Sequence, residues 1–207
     1  MAAASVRGKF ITLEGVDGAG KSTHIPWIAE RLRGKGREVV VTREPGGTPL
    51  AEKLRARVLA EAMDPVAETQ LMFEARADHV QAVIAPALAR GAWVLCDRFT
   101  DSTVAYQGAG KGVDRALIDE LARRTHPGLQ PDLTLVFDST YAVSSQRLGA
   151  SGRRPDRFEA EDRGFFDRVR AAYRQLAQAE PRRVRVIDGT KTSEEVKKEI
   201  EKIVATI

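Results

Sequence analysis

Gly15, Gly20, Lys21 and Ser22 fill the pattern G-x-x-x-x-G-K-[ST], within the run Gly15-Val16-Asp17-Gly18-Ala19-Gly20-Lys21-Ser22-Thr23. The apolar, β-favouring residues Phe10 to Leu13 precede it, and a helical stretch from about Lys21 to Arg33 follows. A strand that enters a glycine loop and leaves as a helix aims a row of backbone N–H groups and a positive helix end at one point. Lys21 then supplies a point charge for β/γ-phosphates and the Ser22 hydroxyl a ligand for Mg²⁺. The chemistry implied is a cradle for a polyphosphate.

Four further groups could act with it. Asp97-Arg98 ends the apolar run Trp93 to Cys96. Asp97 can orient Mg²⁺ or its water, and Arg98 can fork onto a phosphate. Arg153, Arg154 and Arg157 lie in Gly-Ala-Ser-Gly-Arg-Arg-Pro-Asp-Arg, residues 149–157, a segment read as a mobile lid. No cation stands between Gly15 and Gly20, so a transition-state arginine must come from elsewhere, and a closing flap can deliver one. Phe73 and Arg76 share a helical face, which suits stacking on a base and bonding its edge. Thr103, Tyr106 and Gln107 add a hydroxyl, an aromatic and an amide near Asp97-Arg98; an amide can meet a pyrimidine's N3–H and carbonyl together. Asp138 also ends an apolar run but precedes a helical stretch, so helix capping accounts for it equally well.

The elements that must position these groups alternate regularly. Apolar strands are expected at Glu38–Thr42, Trp93–Cys96, Leu133–Phe137 and Val184–Ile187 besides the first. Helices are expected at 50–62, 66–90 with a break near Pro86, 117–124, 159–180 and 193–204. Leu50, Leu54, Val58 and Leu59 form the apolar face of the first of these. Strands alternating with helices and apolar along their length predict a three-layer α/β P-loop fold, a five-stranded parallel sheet flanked by helices. At 207 residues and 43% hydrophobic content, the chain reads as a single domain, 1–207. A net charge of +4 suits anionic ligands and is too dispersed to argue for nucleic acid. The basic cluster Arg31 to Arg37 complements a helix C-terminus. No apolar run is long enough to span a membrane, and no secretory signal is visible, so a cytoplasmic protein is expected. The single cysteine, Cys96, is expected to be a buried structural thiol. A nucleotide-switched binding protein is the rival class, but the guanine-reading Asn-Lys-x-Asp is missing.

Together these residues resemble the thymidylate kinase family, the bacterial dTMP kinases. The resemblance rests on Gly15 to Thr23, Thr42-Arg43-Glu44-Pro45-Gly46-Gly47-Thr48, Leu71-Met72-Phe73, Asp97-Arg98-Phe99 and Ala105-Tyr106-Gln107-Gly108. It implies Mg²⁺-dependent transfer from ATP to dTMP in a cytosolic homodimer. It implies that Asp17 meets the deoxyribose 3′-hydroxyl, that Arg55 and Arg98 hold the dTMP phosphate, and that Glu44 and Asp97 sit near magnesium, with Pro45 beside the acceptor. Phe73 would stack on thymine, Arg76 face O4 and Gln107 face N3, with Thr103 and Tyr106 lining the pocket. The lid arginines Arg153, Arg154 and Arg157 would serve the transition state. The family often has four residues, not three, from the stacking Phe to the thymine Arg, so one of Phe73 and Arg76 is a turn position off the pattern.

Overall fold

The structure, a computed structural model, describes residues 7–150, 152 and 154–207. Its strands are β1 (Phe10–Gly15), β2 (Val39–Arg43), β3 (Trp93–Asp97), β4 (Leu133–Asp138) and β5 (Val184–Asp188). All pair in parallel in the order β2-β3-β1-β4-β5. Every residue of β1 is buried, as a central strand covered on both faces requires. The outer strands β2 and β5 are only partly covered, and Val41 and Val186 are exposed.

Helix α1 (Lys21–Gly34) follows β1, and its last turn carries Arg31 and Arg33, which suits the dipole there. Helices α2 (Pro49–Ala60) and α3 (Pro65–His79) pack together, each begun by a proline behind a side-chain cap, Thr48 and Asp64. On α2 the buried residues are Ala51 and Val58, and Leu50 is exposed, unlike the expected apolar face. The helix expected over 66–90 continues from α3 through a π-helical turn, Val80–Ile84, into α4 (Ala85–Ala89). The irregularity precedes Pro86 by a turn, as a residue without an N–H demands of the carbonyls behind it. A short helix α5 (Thr100–Thr103) runs into a second π-helical segment, Val104–Gly110. In the sequence, two threonines, a valine and two glycines hide the helical character of this stretch. Helices α6 (Arg115–Thr125), α7 (Tyr141–Ala150), α8 (Arg163–Ala179) and α9 (Ser193–Val204) complete the layers. Asp162 caps α8 through Phe165 N, so the helix begins after the expected Glu159.

Three apolar clusters fill the layers. The largest joins α1, α8 and α9 to the sheet, with Ile11, Leu13, Ile28, Phe137 and Tyr173 inside it. A second gathers Phe10, Ile84, Val94, Cys96 and Phe99 on the opposite face. Cys96 is fully buried and its thiol donates to Arg98 O, the structural role expected of it. The third, Phe73, Val113 and Ile118, lies between α3 and α6. The register brings Gly15 beside Phe137, Leu13 beside Asp97 and Asp97 beside Arg43. The loops carrying the chemistry therefore gather at the carboxyl ends of neighbouring strands, where open α/β sheets bind ligands.

Candidate active site

A single cleft of about 730 Å³ runs across this edge. At one end are Asp17, Gly18, Gly20, Lys21, Ser22 and Thr23; at the other are Arg55, Met72, Arg76, Thr103 and Gln107, with Asp97, Arg98 and Tyr106 also in its wall.

The glycine loop is set by backbone geometry. Gly15, Gly18 and Gly20 have φ of 126°, 77° and 103°, a region side chains strain to adopt. A Cβ on Gly15 would lie 2.3 Å from Phe137 O, so the close approach of β4 also excludes one. Gly20 begins α1 without any side-chain cap, whereas Thr48, Asp64, Asp114, Asp162 and Thr192 cap five other helices. The first N–H groups of α1 thus point into the cleft with a positive dipole end behind them, the arrangement that takes an anion. Lys21 folds back over the loop, its Nζ 3.0 Å from both Gly15 O and Val16 O. Burial and the Arg98 charge lower its pKa to about 8, against the opposing pull of Asp17 and Asp97.

Arg98 occupies the centre. It is the one non-glycine residue with positive φ, 74°, among the described residues, a strain of about 1–3 kcal/mol that surrounding contacts must offset. Arg98 N donates to Leu13 O at 2.9 Å, and Phe99 N donates to Glu14 Oε1 at 2.7 Å. The guanidinium then donates through Nη2 to Asp17 Oδ1 at 2.6 Å and to the Tyr106 hydroxyl at 3.0 Å. Its Nη1 donates to Ser102 Oγ at 3.2 Å and to the Tyr173 hydroxyl at 3.4 Å. Those two hydroxyls donate in turn to Glu14 Oε2, at 2.5 and 2.9 Å. Burial and the nearby Asp101 push the Glu14 carboxyl up to about 7, although Arg98 and the two hydroxyls resist. Asp17 moves the other way, to about 2: burial would raise it, and the charges of Arg98 and Lys21 with the Tyr106 and Arg98 bonds outweigh burial. Asp17 therefore stays ionised and ties the phosphate loop to Arg98.

Asp97 Oδ1 is buried with no hydrogen-bond partner and lies in the cleft wall. Ser22, exposed in the first turn of α1, lines the same cleft. Two oxygen donors at a phosphate cradle fit Mg²⁺, which takes few protein ligands and relies on substrate oxygens and water for the rest. Glu44 does not join them. Both of its oxygens are taken, Oε2 by Arg76 Nε at 2.6 Å and Oε1 by His79 Nδ1 at 2.9 Å. Burial would raise its pKa, but Arg76 and His79 hold it below the usual carboxylate value. Its place is to brace Arg76, which also donates to Thr103 Oγ1 at 3.1 Å and keeps a buried Nη1 without a partner. Arg55 lines the cleft and donates to Pro45 O at 2.9 Å.

Phe73 is displaced from its expected role. Its ring is 2% exposed, packed with Val113 and Ile118 and stacked on His126 at 6.4 Å. Met72, one residue earlier, reaches the cleft instead. The four-residue spacing to Arg76 is thus met by Met72, and the aromatic belongs to the α3–α6 core. Gln107 donates from Nε2 to Glu68 Oε1 at 2.8 Å, which commits one of its two amide protons and turns the NH₂ end toward Glu68, leaving the carbonyl end for the cleft.

The lid arginines divide. Arg153 lies outside the described residues, and Arg154 is exposed. Arg157 is turned away from the phosphate loop, donating to Val58 O at 2.7 Å and to Glu68 Oε2 at 2.5 Å. The arginine found over the loop is Arg147 of α7, whose Nη1 is 3.3 Å from Ala19 O and 3.4 Å from Gly18 O. Residues 149 and 150 are helical, the end of α7. Asp138 accepts a fork from Arg170 at 2.5 and 2.9 Å, which makes it an ion-pair partner and not a helix cap.

Comparison with known proteins gives the family. A sequence model described as thymidylate kinase matches residues 13–200. The chain belongs to the thymidylate kinase family. It is 54% identical over 202 residues to the thymidylate kinase of Cupriavidus metallidurans, covering 98% of this chain and all of the relative. It is 55% identical over 195 residues to that of Methylobacillus flagellatus, covering 94% and 96% of the two chains. The crystal structure of thymidylate kinase from Ehrlichia chaffeensis superposes with a TM-score of 0.80 at 34% identity, covering 96% of this chain and 99% of that one. The five-stranded parallel sheet with helices on both faces is the fold of that family.

Proposed function

We propose that the chain transfers the γ-phosphoryl group of ATP to dTMP in one cleft, giving ADP and dTDP. The reaction is that of the family; the assignment of residues rests on the cleft. The observation that carries it is the uncapped N-terminus of α1 at one end and the braced, half-unpartnered Arg76 beside Gln107 at the other.

In this reading the N–H groups from Gly15 to Thr23 and Lys21 hold the donor phosphates. Arg98 and Arg55 hold the acceptor phosphate, and Asp17, fixed ionised by Arg98, accepts from the deoxyribose 3′-hydroxyl. Arg76 Nη1 donates to thymine O4, Gln107 faces N3, and Met72, Pro45, Thr103 and Tyr106 close around the base. Ser22 and Asp97 would hold Mg²⁺, which would supply charge neutralisation for the transferring group. The chain's share of the work is orientation: arginines already fixed by Asp17, Tyr106, Ser102 and Glu44 need not reorganise as charge develops. Arg147, whose Nη1 lies 3.3 Å from Ala19 O, is a candidate on the donor side, with Arg153 and Arg154 as further candidates. A single-domain, cytoplasmic homodimer accords with the family; light scattering on the purified chain tests the dimer. No helix among the described residues is long and apolar enough to cross a membrane.

An ADP-release assay across nucleoside monophosphates tests the reading. Strong preference for dTMP over dCMP and purine monophosphates is expected. Discrimination against dUMP should be weaker, since one methyl is worth only about 1–3 kcal/mol. Equal turnover of dCMP and dTMP would refute the thymine pocket.

A further inference from the structure

We propose that Glu68 sets the base specificity of the cleft by fixing which end of the Gln107 amide faces it. The proposal rests on the reading above, in which Gln107 meets the base.

Glu68 sits in the first turn of α3, fully buried. Its Oε2 accepts from Lys111 Nζ at 2.8 Å and from Arg157 Nη2 at 2.5 Å. Its Oε1 accepts from Gln107 Nε2 at 2.8 Å. A carboxylate can only accept, so the amide must turn its NH₂ toward it. The carbonyl end of Gln107 is then the end left for the cleft, which this residue lines. An acceptor there pairs with a base whose N3 carries hydrogen and repels one whose N3 carries a lone pair. Thymine and uracil are of the first kind, cytosine of the second. Arg76 Nη1, buried and without a partner, adds a donor that suits a 4-oxo group and not a 4-amino group. Glu68 touches no part of the cleft itself; it is a positioning residue that acts through Gln107.

The two cations make the test sharp. In Glu68→Gln the carbonyl of the new amide belongs beside Lys111 and Arg157, which only donate. Its NH₂ then faces Gln107, which must rotate to accept, presenting its own NH₂ to the cleft. The kcat/KM for dTMP should fall and that for dCMP rise, narrowing their ratio by about tenfold or more, equivalent to about 1.4 kcal/mol. Glu68→Ala frees the amide to rotate and should give an intermediate ratio. A purely structural role lowers both nucleotides together and leaves the ratio alone; that outcome in both variants overturns the proposal. Thermal unfolding of each variant reports whether it folds. Independently of any variant, one Gln107 side-chain amide proton of the wild-type protein, the one on Glu68, should be protected from exchange with or without dTMP. Protection gained only on adding dTMP would place it on the base and overturn the proposal. Gln107→Leu separates the two levels: an unchanged KM for dTMP would mean that the base lies elsewhere, and the underlying pocket reading would fail.

Discussion

The Glu44–Arg76–His79 cluster gives the clearest quantitative test of the cleft. Glu44 and the Arg76 side chain are each about 3% exposed, so solvent does little to screen their interaction. Glu44→Ala strands Arg76, whose Nη1 already lacks a partner, with the Thr103 hydroxyl as its remaining bond. Breaking a buried pair by removing one partner costs about 3–5 kcal/mol. In a chain of this size each kcal/mol lowers the melting temperature by about 2–4 °C, so a fall of roughly 6–20 °C is expected. The double variant Glu44→Ala, Arg76→Met should regain much of it, because an apolar replacement of a buried pair is often neutral or stabilising. The assay is thermal unfolding, joined by titration of Mg²⁺ in the kinase reaction with Glu44→Gln. A brace predicts a large melting shift and an unchanged Mg²⁺ requirement. A melting point within about 2 °C of wild type, below the shift expected of even 1 kcal/mol, together with a raised Mg²⁺ requirement, would refute the reasoning and return Glu44 to the metal.

Other outcomes follow from the same contacts. Arg98→Ala should weaken dTMP binding by roughly 10- to 150-fold, the loss of a charged hydrogen bond of about 1.5–3 kcal/mol, while ATP binding survives; calorimetry with each nucleotide alone decides it. Glu14 is raised from 4.5 to about 7 by folding, so the native state holds its proton more tightly than the unfolded chain. Its contribution to stability is therefore full below pH 4.5 and lost as pH rises through about 7. Melting temperatures of wild type should show this decline relative to Glu14→Gln, and parallel curves would contradict it. Gly15→Ala should destabilise by more than about 1 kcal/mol, since its φ cannot be adopted without strain and Phe137 O lies in the way; denaturant unfolding measures it.

The sequence by itself determined the architecture and the position of the glycine loop at one end of the cleft. Apolar strands with two buried faces leave few alternatives, and a glycine loop between strand and helix binds through backbone, which needs no distant partner. Gly15, Lys21, Ser22, Asp97 and Arg98 are accordingly where the sequence places them. What only tertiary structure decided concerns residues whose surroundings come from far along the chain. Met72 and Phe73 are adjacent on a helix packed on one side by α2 and on another by α6, so periodicity cannot tell which apolar residue meets the cleft. Glu44 faces Arg76 and His79, over thirty positions away in sequence, and so braces an arginine of the cleft wall. Arg157 pairs with Glu68, 89 positions distant, which takes it from the phosphates to the wall behind Gln107. Glu14, a charged residue in a fully buried strand, is legible as a signal even in the sequence: a carboxylate placed there needs partners, and the turn at Arg98 supplies them.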